Sequence, residues 1–395
     1  MSMTEFKPVL EESIKRVEKW VEDHGYKGYE PFDGLSSFLR PLTFGNLFLE
    51  RILMQLVRQS PVNLRPIFGI KPLDSTIGRG YMAWGYLKML KVSGDEKYRI
   101  KAEKCLQWLI ENKSPGYEEF SWGKHFDFAG RGGGYPKFEP ITVWTCLIGM
   151  AFLEAYEILK KEKYLEVADS ICRWVLKLAR NETERGICFS YTASGDASCT
   201  IHNHSMLAAA MLARTSQYGS NKDEYLRVAR GAMNYSCSCQ LPNGGWYYGE
   251  EPMHHWIDNF HTGYNLDSLK YYIEGSGDRT YEENLKKGFK FYVNHFFEGS
   301  GRTRYYHNRT YPVDSQCASQ SIDTLAYFSD IDPSAMSLSS KVASWVIENM
   351  QGKEGYFYYR EYPGRIRAKT PMLHWAQATT YKALTHLLSK INAIA

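Results

Sequence analysis

The chain has 395 residues, 44% of them hydrophobic and 23% charged, with a formal net charge of +4. That balance excludes a polyelectrolyte grip on nucleic acid, and a mean hydropathy of −0.44 gives no ground for a membrane span. The opening Met1-Ser-Met-Thr-Glu-Phe-Lys7 lacks the apolar core of a signal peptide, so a cytoplasmic protein is expected.

An amphipathic helix is predicted from about Val9 to Glu22. The stretch from about Gly28 to Pro72 contains Pro31, Pro41, Pro61, Pro66 and Pro72 and reads as an irregular arm or partial lid. A repeat then begins. Helix starts at Asp74, Ile141, Thr200, Asp258, Asp314 and Thr370 are separated by 67, 59, 58, 56 and 56 residues. Each opens a segment rich in apolar and small residues, such as Thr142 to Leu159, Ile201 to Thr215 or Asn259 to Tyr272, which reads as buried all round. A charged, half-exposed segment follows, such as Tyr164 to Ala179 or Glu282 to His295. Short strand-like aromatic turns close the units: Phe120-Ser-Trp122, Cys188-Phe-Ser-Tyr191, Gly245-Trp-Tyr-Tyr248, Arg304-Tyr-Tyr306 and Tyr356-Phe-Tyr-Tyr359. Six buried helices and six amphipathic ones, counting the first, predict an all-α (α/α)6 toroid. It forms one domain over residues 1–395, with the N-terminal helix outside the last hairpin.

Cys105, Cys146, Cys172, Cys188, Cys199, Cys237, Cys239 and Cys317 fall mostly within predicted helices and read as reduced core thiols. Cys237-Ser-Cys239 lacks the second pair of a zinc site. Gly130-Arg-Gly-Gly-Gly-Tyr-Pro136 lacks the Lys-Ser/Thr of a phosphate loop and reads as a rim loop. Neither a metal nor another cofactor is expected.

In such a ring the loops that lead from outer to inner helices converge on a central cavity. One loop brings Trp122, His125 and Asp127, with Arg131 and Tyr135, and another brings His202 and His204. The next is the richest, with Trp246, Tyr248, Glu250, Glu251, His254, His255, Asp258, Asn259, His261 and Tyr264. The last two add Arg302, Arg304, His307, Arg309 and Asp314, then Tyr358, Arg360, Arg365, Arg367 and His374. Aromatic platforms beside carboxylates suit sugar rings, whose C–H faces stack on aromatics while their hydroxyls need polar partners.

The run Gly245-Trp-Tyr-Tyr248, followed by His255-Trp-Ile-Asp-Asn-Phe-His-Thr-Gly-Tyr-Asn-Leu-Asp-Ser-Leu-Lys-Tyr271, resembles a family of proteins encoded in bacterial exopolysaccharide biosynthesis clusters. The wider organisation from Asp74 onward is similar to the six-hairpin glycosidase superfamily. The resemblance implies a carbohydrate context and transfers no catalytic pair, while the aromatic turns and the two arginine loops point to an acidic bacterial polysaccharide or oligosaccharide as substrate. Gln240-Leu-Pro-Asn-Gly-Gly-Trp246 and Gln351-Gly-Lys-Glu-Gly-Tyr-Phe357 also resemble the repeats of terpenoid cyclases and prenyltransferase β-subunits, whose zinc set would be matched by Asp314, Cys317 and His374. A non-catalytic carbohydrate-binding protein is a further alternative.

Glycoside hydrolysis needs two carboxylates, one to protonate the leaving oxygen and one to activate water or attack the anomeric carbon. Asp258 is the first candidate, with Asp314 or Glu250 as its partner and His261 beside them; helix capping alone would also justify both aspartates. A rival mechanism needs no pair. Arg302, Arg304, His307, Arg309, Arg360, Arg365, Arg367 and Lys369 favour an anionic partner such as a uronate polymer. A lyase or C5-epimerase would neutralise its carboxylate with Arg or Asn259 and remove the C5 proton with His261, Tyr264 or His255.

Overall fold

A computed structural model describes residues 3–195, 198–219 and 221–394. Six helices form an inner ring: α3 (Thr76–Ser93), α5 (Thr142–Leu159), α7 (His202–Thr215), α9 (Asn259–Ser276), α11 (Ser315–Tyr327) and α13 (Thr379–Ile394). Each packs on the next, and α13 returns to α3, so the ring closes. Every residue of α7 is buried, as expected of a helix walled in on all sides. Close approach is written into small residues. A side chain at Gly85 in α3 would meet the Tyr381 ring of α13 at 2.5 Å, and one at Gly275 in α9 would meet the Ala213 backbone of α7 at 2.8 Å. Among the described residues only α5 has the length and hydropathy to cross a bilayer, and most of it is buried in the ring wall.

The outer layer consists of α1 (Met3–Asp23), α4 (Glu96–Glu111), α6 (Glu162–Lys177), α8 (Lys222–Ser238), α10 (Glu282–His295) and α12 (Ser334–Met350). Helix α4 packs on α3, α6 on α5, α8 on α7, α10 on α9 and α12 on α11, while α1 covers α13 as the sixth partner. The (α/α)6 toroid read from the repeat is therefore the observed architecture, with a few short strands between its helices.

Helix starts differ from expectation at three places, one of them a single-residue shift from Thr200 to Ile201 before α7. Ser75, not Asp74, caps α3 by accepting the amide of Gly78 at 3.2 Å, while Asp74 faces Arg79 at 3.4 Å. Thr370 opens no helix. The chain there stays extended because Tyr29 donates to Pro371 O at 3.3 Å and accepts from Leu373 N at 2.9 Å. A π-turn over Leu373–Ala378 then leads into α13.

The proline-rich arm is ordered. Lys27–Gly28 pairs antiparallel with Leu73–Asp74, and two 3-10 turns precede α2 (Leu47–Gln59). Asn46 caps α2 by accepting the amides of Phe48 and Leu49 at 3.0 and 3.2 Å. Helix α2 buries Leu53, Met54 and Val57, and a buried Asp33–Arg65 ion pair at 2.9 Å ties the arm together. Its outer side leaves Phe38, Leu42, Phe44, Phe48, Ile52 and Leu56 exposed.

Candidate functional site

The first amide of an α-helix has no partner inside the helix, and here the aromatic turns supply one. Thr142 N donates to Tyr191 O at 3.0 Å, His202 N to Tyr248 O at 3.1 Å, Asn259 N to Tyr305 O at 2.9 Å and Ser315 N to Tyr359 O at 3.2 Å. In each case the turn that closes a hairpin caps that hairpin's own inner helix. Tyr29, which follows α1, does the same for the segment before α13, so the arm supplies the sixth turn. A second aromatic anchors several turns from below. Trp122 and Trp246 are buried and donate their indole N–H to Leu109 O at 3.0 Å and Ser236 O at 2.8 Å, at the ends of α4 and α8.

These turns surround a cavity of about 1300 Å³ at the end of the ring where the inner helices begin, and α2 lends Arg51, Gln55 and Arg58 to its wall. Asp258, the N-cap of α9, accepts the His261 amide at 3.0 Å through Oδ1. Its Oδ2 accepts from His261 Nδ1 at 2.7 Å and from Trp256 Nε1 at 2.9 Å. An ionised carboxylate can only accept, so Nδ1 of His261 carries the proton and Nε2 of the neutral ring keeps its lone pair. His374 has the same arrangement. Its Nδ1 donates to Glu30 Oε2 in a very short hydrogen bond, and both histidines line the cavity. Among the described residues no hydrogen bond engages Nε2 of either ring. Phe260 and Trp375 join them, with ring centroids 3.9 Å from His261 to Phe260, 5.3 Å on to Trp375 and 5.5 Å on to His374. Tyr264 accepts from Gln316 Nε2 at 2.8 Å and meets the Tyr81 hydroxyl at 3.0 Å.

Lys124 also lines the cavity. Its Nζ lies 3.3 Å from the Phe128 ring centroid and 4.8 Å from that of Phe32, and burial, opposed by Glu30 and reinforced by Arg58, pushes the amine down to about 7.

Of the residues singled out from sequence, Tyr248, His255, Asp258, His261, Tyr264, His307, Arg360 and His374 line the cavity, as do Arg131, Tyr135, Glu251, His254 and Arg309. His255 is spent partly on the rim, stacking on Tyr247 at 4.3 Å with Nε2 on Glu250 O. Asp314 does not line it. The residue is fully buried, caps α11 through the Gln316 amide and holds Arg360 Nε and Trp375 Nε1, which makes it a brace beneath the wall. Glu250 is turned to His202, which holds its carboxyl below the usual range from 3.0 Å. His202 itself is fully buried, with Nδ1 on Ser236 Oγ. Trp122 and Trp246 lie in the core for the anchoring reason given above. His125 packs between Trp108 and Phe138, and burial lowers its pKa. Asp127 pairs with Arg40 and so clamps the arm to the rim. Asn259 Oδ1 accepts from the Tyr292 and Ser321 hydroxyls, both at 3.0 Å, its Nδ2 is enclosed without a partner, and the residue lies outside the cavity lining. Arg302 pairs with Glu298 at 2.7 Å, Arg367 with Glu361 at 3.0 Å, and Arg304 and Tyr358 lie outside the cavity lining. Sequence reasoning did not single out Glu30, Arg58, Lys124, Phe260 or Trp375. For Phe260 and Trp375 the signal was present, since each is flanked by a selected histidine. Glu30 and Arg58 lie in the arm, where no periodicity marks them.

The zinc set implied by Asp314, Cys317 and His374 is not assembled, because Asp314 is committed to Arg360 and His374 to Glu30. Among the described residues two other groups have donor atoms within 4.8 Å of one another, namely Cys188, Cys199 and His204, and His202, Cys239 and Glu250. In both, the histidine Nε2 is already engaged, by Phe189 O at 2.7 Å and by Glu250 at 3.0 Å.

No protein-family model and no curated protein sequence matches the chain. Solved structures do match. Cellobiose 2-epimerase from Bacillus thermoamylovorans superposes with a TM-score of 0.64 at 10% identity, over 80% of this chain and 87% of that one. Cellobiose 2-epimerase from Spirochaeta thermophila gives 0.62 at 10%, over 81% and 87%. A GH76 α-mannanase from Bacteroides thetaiotaomicron gives 0.60 at 11%, over 80% and 86%. The shared property is the six-hairpin toroid fold.

Proposed function

We propose that the protein is a carbohydrate-active enzyme that moves a proton on and off a sugar carbon, an epimerase, isomerase or lyase. The observation that carries this reading is the pair of carboxylate-held histidines in one cavity. In each, the carboxylate fixes the ring and its tautomer and stabilises the imidazolium formed when Nε2 takes a proton. His261 removes a proton from a carbon made acidic by a neighbouring carbonyl or carboxylate. His374 must enter the reaction as the imidazolium held by Glu30, giving its Nε2 proton to the carbon for epimerisation or to the leaving oxygen for elimination, after which His261 releases the proton it took to solvent and His374 takes one up. The fold neighbours include sugar epimerases and glycosidases, which supports a saccharide as substrate. The motif around Trp246 and His261 supports a bacterial exopolysaccharide setting.

Hydrolysis by paired carboxylates is the second reading, favoured by Glu251, the one cavity-lining carboxylate other than Asp258 among the described residues. Asp258 serves it poorly, since both its oxygens are engaged. Incubating the protein with cellobiose and with uronate oligosaccharides in deuterated water separates the readings. Deuterium entering a C–H position, or an unsaturated ultraviolet-absorbing product, supports proton abstraction. New reducing ends without either would replace it with hydrolysis.

A further inference from the structure

Among the described residues the cavity wall carries six cationic side chains, Arg51, Arg58, Lys124, Arg131, Arg309 and Arg360, against the carboxylates of Glu251 and Asp258. Only Arg360 has a carboxylate within ion-pair distance. Two of the others are held deep. Lys124 is only 6% exposed, and no described side chain or carbonyl accepts a hydrogen bond from its Nζ. Arg58 comes from α2, and its Nε is enclosed without a hydrogen-bond partner. Both approach one ring, with Arg58 Cζ 4.5 Å and Lys124 Nζ 4.8 Å from the Phe32 centroid. The acidic group nearest in influence to Lys124 is Glu30, which makes no ion pair with it; its Oε2 is taken by His374 and its Oε1 is enclosed without a hydrogen-bond partner. Two enclosed cations side by side raise each other's cost, and enclosed donors without acceptors add to it. An anion seated between them removes both penalties.

We propose that Arg58 and Lys124, which both line the cavity 4.5 and 4.8 Å from the Phe32 centroid, form a subsite for an oxyanion carried by the saccharide, a carboxylate or a phosphate. This rests on the saccharide reading above and fixes its substrate class. The arm thus supplies Arg58, half of the charge recognition, and Asp127 clamps the arm to the rim through Arg40.

The test is calorimetric binding to the full chain at pH 7, with glucuronate, glucose 1-phosphate and glucose as probes. Binding of at least one charged probe about tenfold or more tighter than glucose is expected, from charge-assisted hydrogen bonds made in an enclosed site. Which charged probe binds tighter distinguishes carboxylate from phosphate. Lys124→Met and Arg58→Gln are each expected to bring the charged-to-neutral ratio towards one while leaving glucose binding within about twofold. The amine should also gain about half a proton when the charged probe binds at pH 7, seen as a dependence of the heat on the buffer, and Lys124→Met should abolish this. Equal affinity for charged and neutral probes, or an unchanged ratio in a folded Arg58→Gln variant, overturns the subsite. His261→Asn should keep the full charge preference. Loss of the preference with proton exchange intact sinks the subsite alone, and the reverse sinks the reaction alone.

Discussion

Holding His261 Nδ1 at 2.7 Å makes Asp258 a tautomer selector as well as a cap, and the two roles separate by mutation. In Asp258→Asn the amide oxygen still accepts the α9 amide, so the cap is kept and the stability lost is only that of the Trp256 indole N–H left without its acceptor. The amide nitrogen then faces Nδ1 as a donor, which forces the proton to Nε2 and removes the base. Activity should drop by about two orders of magnitude or more, as in His261→Asn. Asp258→Ala should instead lose both activity and about 1 kcal/mol of stability. Paired turnover and melting measurements decide, and full turnover in Asp258→Asn would remove His261 from the mechanism. Lys124 bears on stability with the opposite sign. Its folded value near 7 lies below the 10.5 of a free amine, so the unfolded chain binds more protons between those limits. The stability cost is complete below pH 7 and fades as pH rises towards 10.5. Lys124→Met should therefore raise Tm at pH 6, by more than it does at pH 9. A lower Tm in the variant at pH 6 would mean that the cation already has a partner. Asp258, His261 and His374 could be selected from sequence because each sits at a helix start. Lys124 could not, since one lysine among many carries no mark of its burial.

The repeated Tyr of the aromatic turn is explained at the level of elements by a backbone need, the orphan amide at the start of each inner helix. Its period was legible in the sequence for that reason, whereas which ring faces the cavity was not. Trp246 and Tyr248 stand two residues apart, yet one anchors α8 and the other lines the site. The basic loops read from sequence show the same divide. Arg302 and Arg367 meet Glu298 and Glu361 locally, while the cations left without carboxylates come partly from α2, which the prolines on either side of it hid. Helix α2 is a separable element resting on the ring through Leu53, Met54 and Val57. Met54→Asp places a charge in that seam and should release the arm. Faster proteolysis between residues 38 and 67, with the main melting transition kept, is the expected outcome. Collapse of the main transition would show that the arm is part of the ring's own core.

At the scale of the whole molecule the ring must close, and polar groups sunk between inner helices help to close it. Asp323 of α11 accepts His386 Nδ1 of α13 at 2.7 Å and is paired with Lys382, while Gln320 reaches Asp267 of α9 at 2.7 Å. Burial pushes the His386 imidazole down to about 4 despite the favourable Asp323 carboxylate, so the folded state keeps it neutral. The unfolded histidine titrates near 6.5. Between these values the unfolded chain binds the additional proton, so stability falls as pH drops from about 6.5 to about 4, by roughly 3 kcal/mol in full. Asp267 works against this. Burial and the neighbouring Asp323 raise its pKa, which favours the fold as pH falls towards the usual carboxylate value. The two opposed slopes leave the wild-type profile uninformative, and a difference between proteins is needed. His386→Asn keeps a donor for Asp323 but cannot take up a proton, while Asp267 is common to both chains. The stability of the variant relative to wild type should therefore rise steadily from pH 6.5 to pH 4, measured by denaturant unfolding at several pH values. Parallel profiles would mean that His386 is already charged in the folded ring, and that the Asp323 pair closes it as a full ion pair.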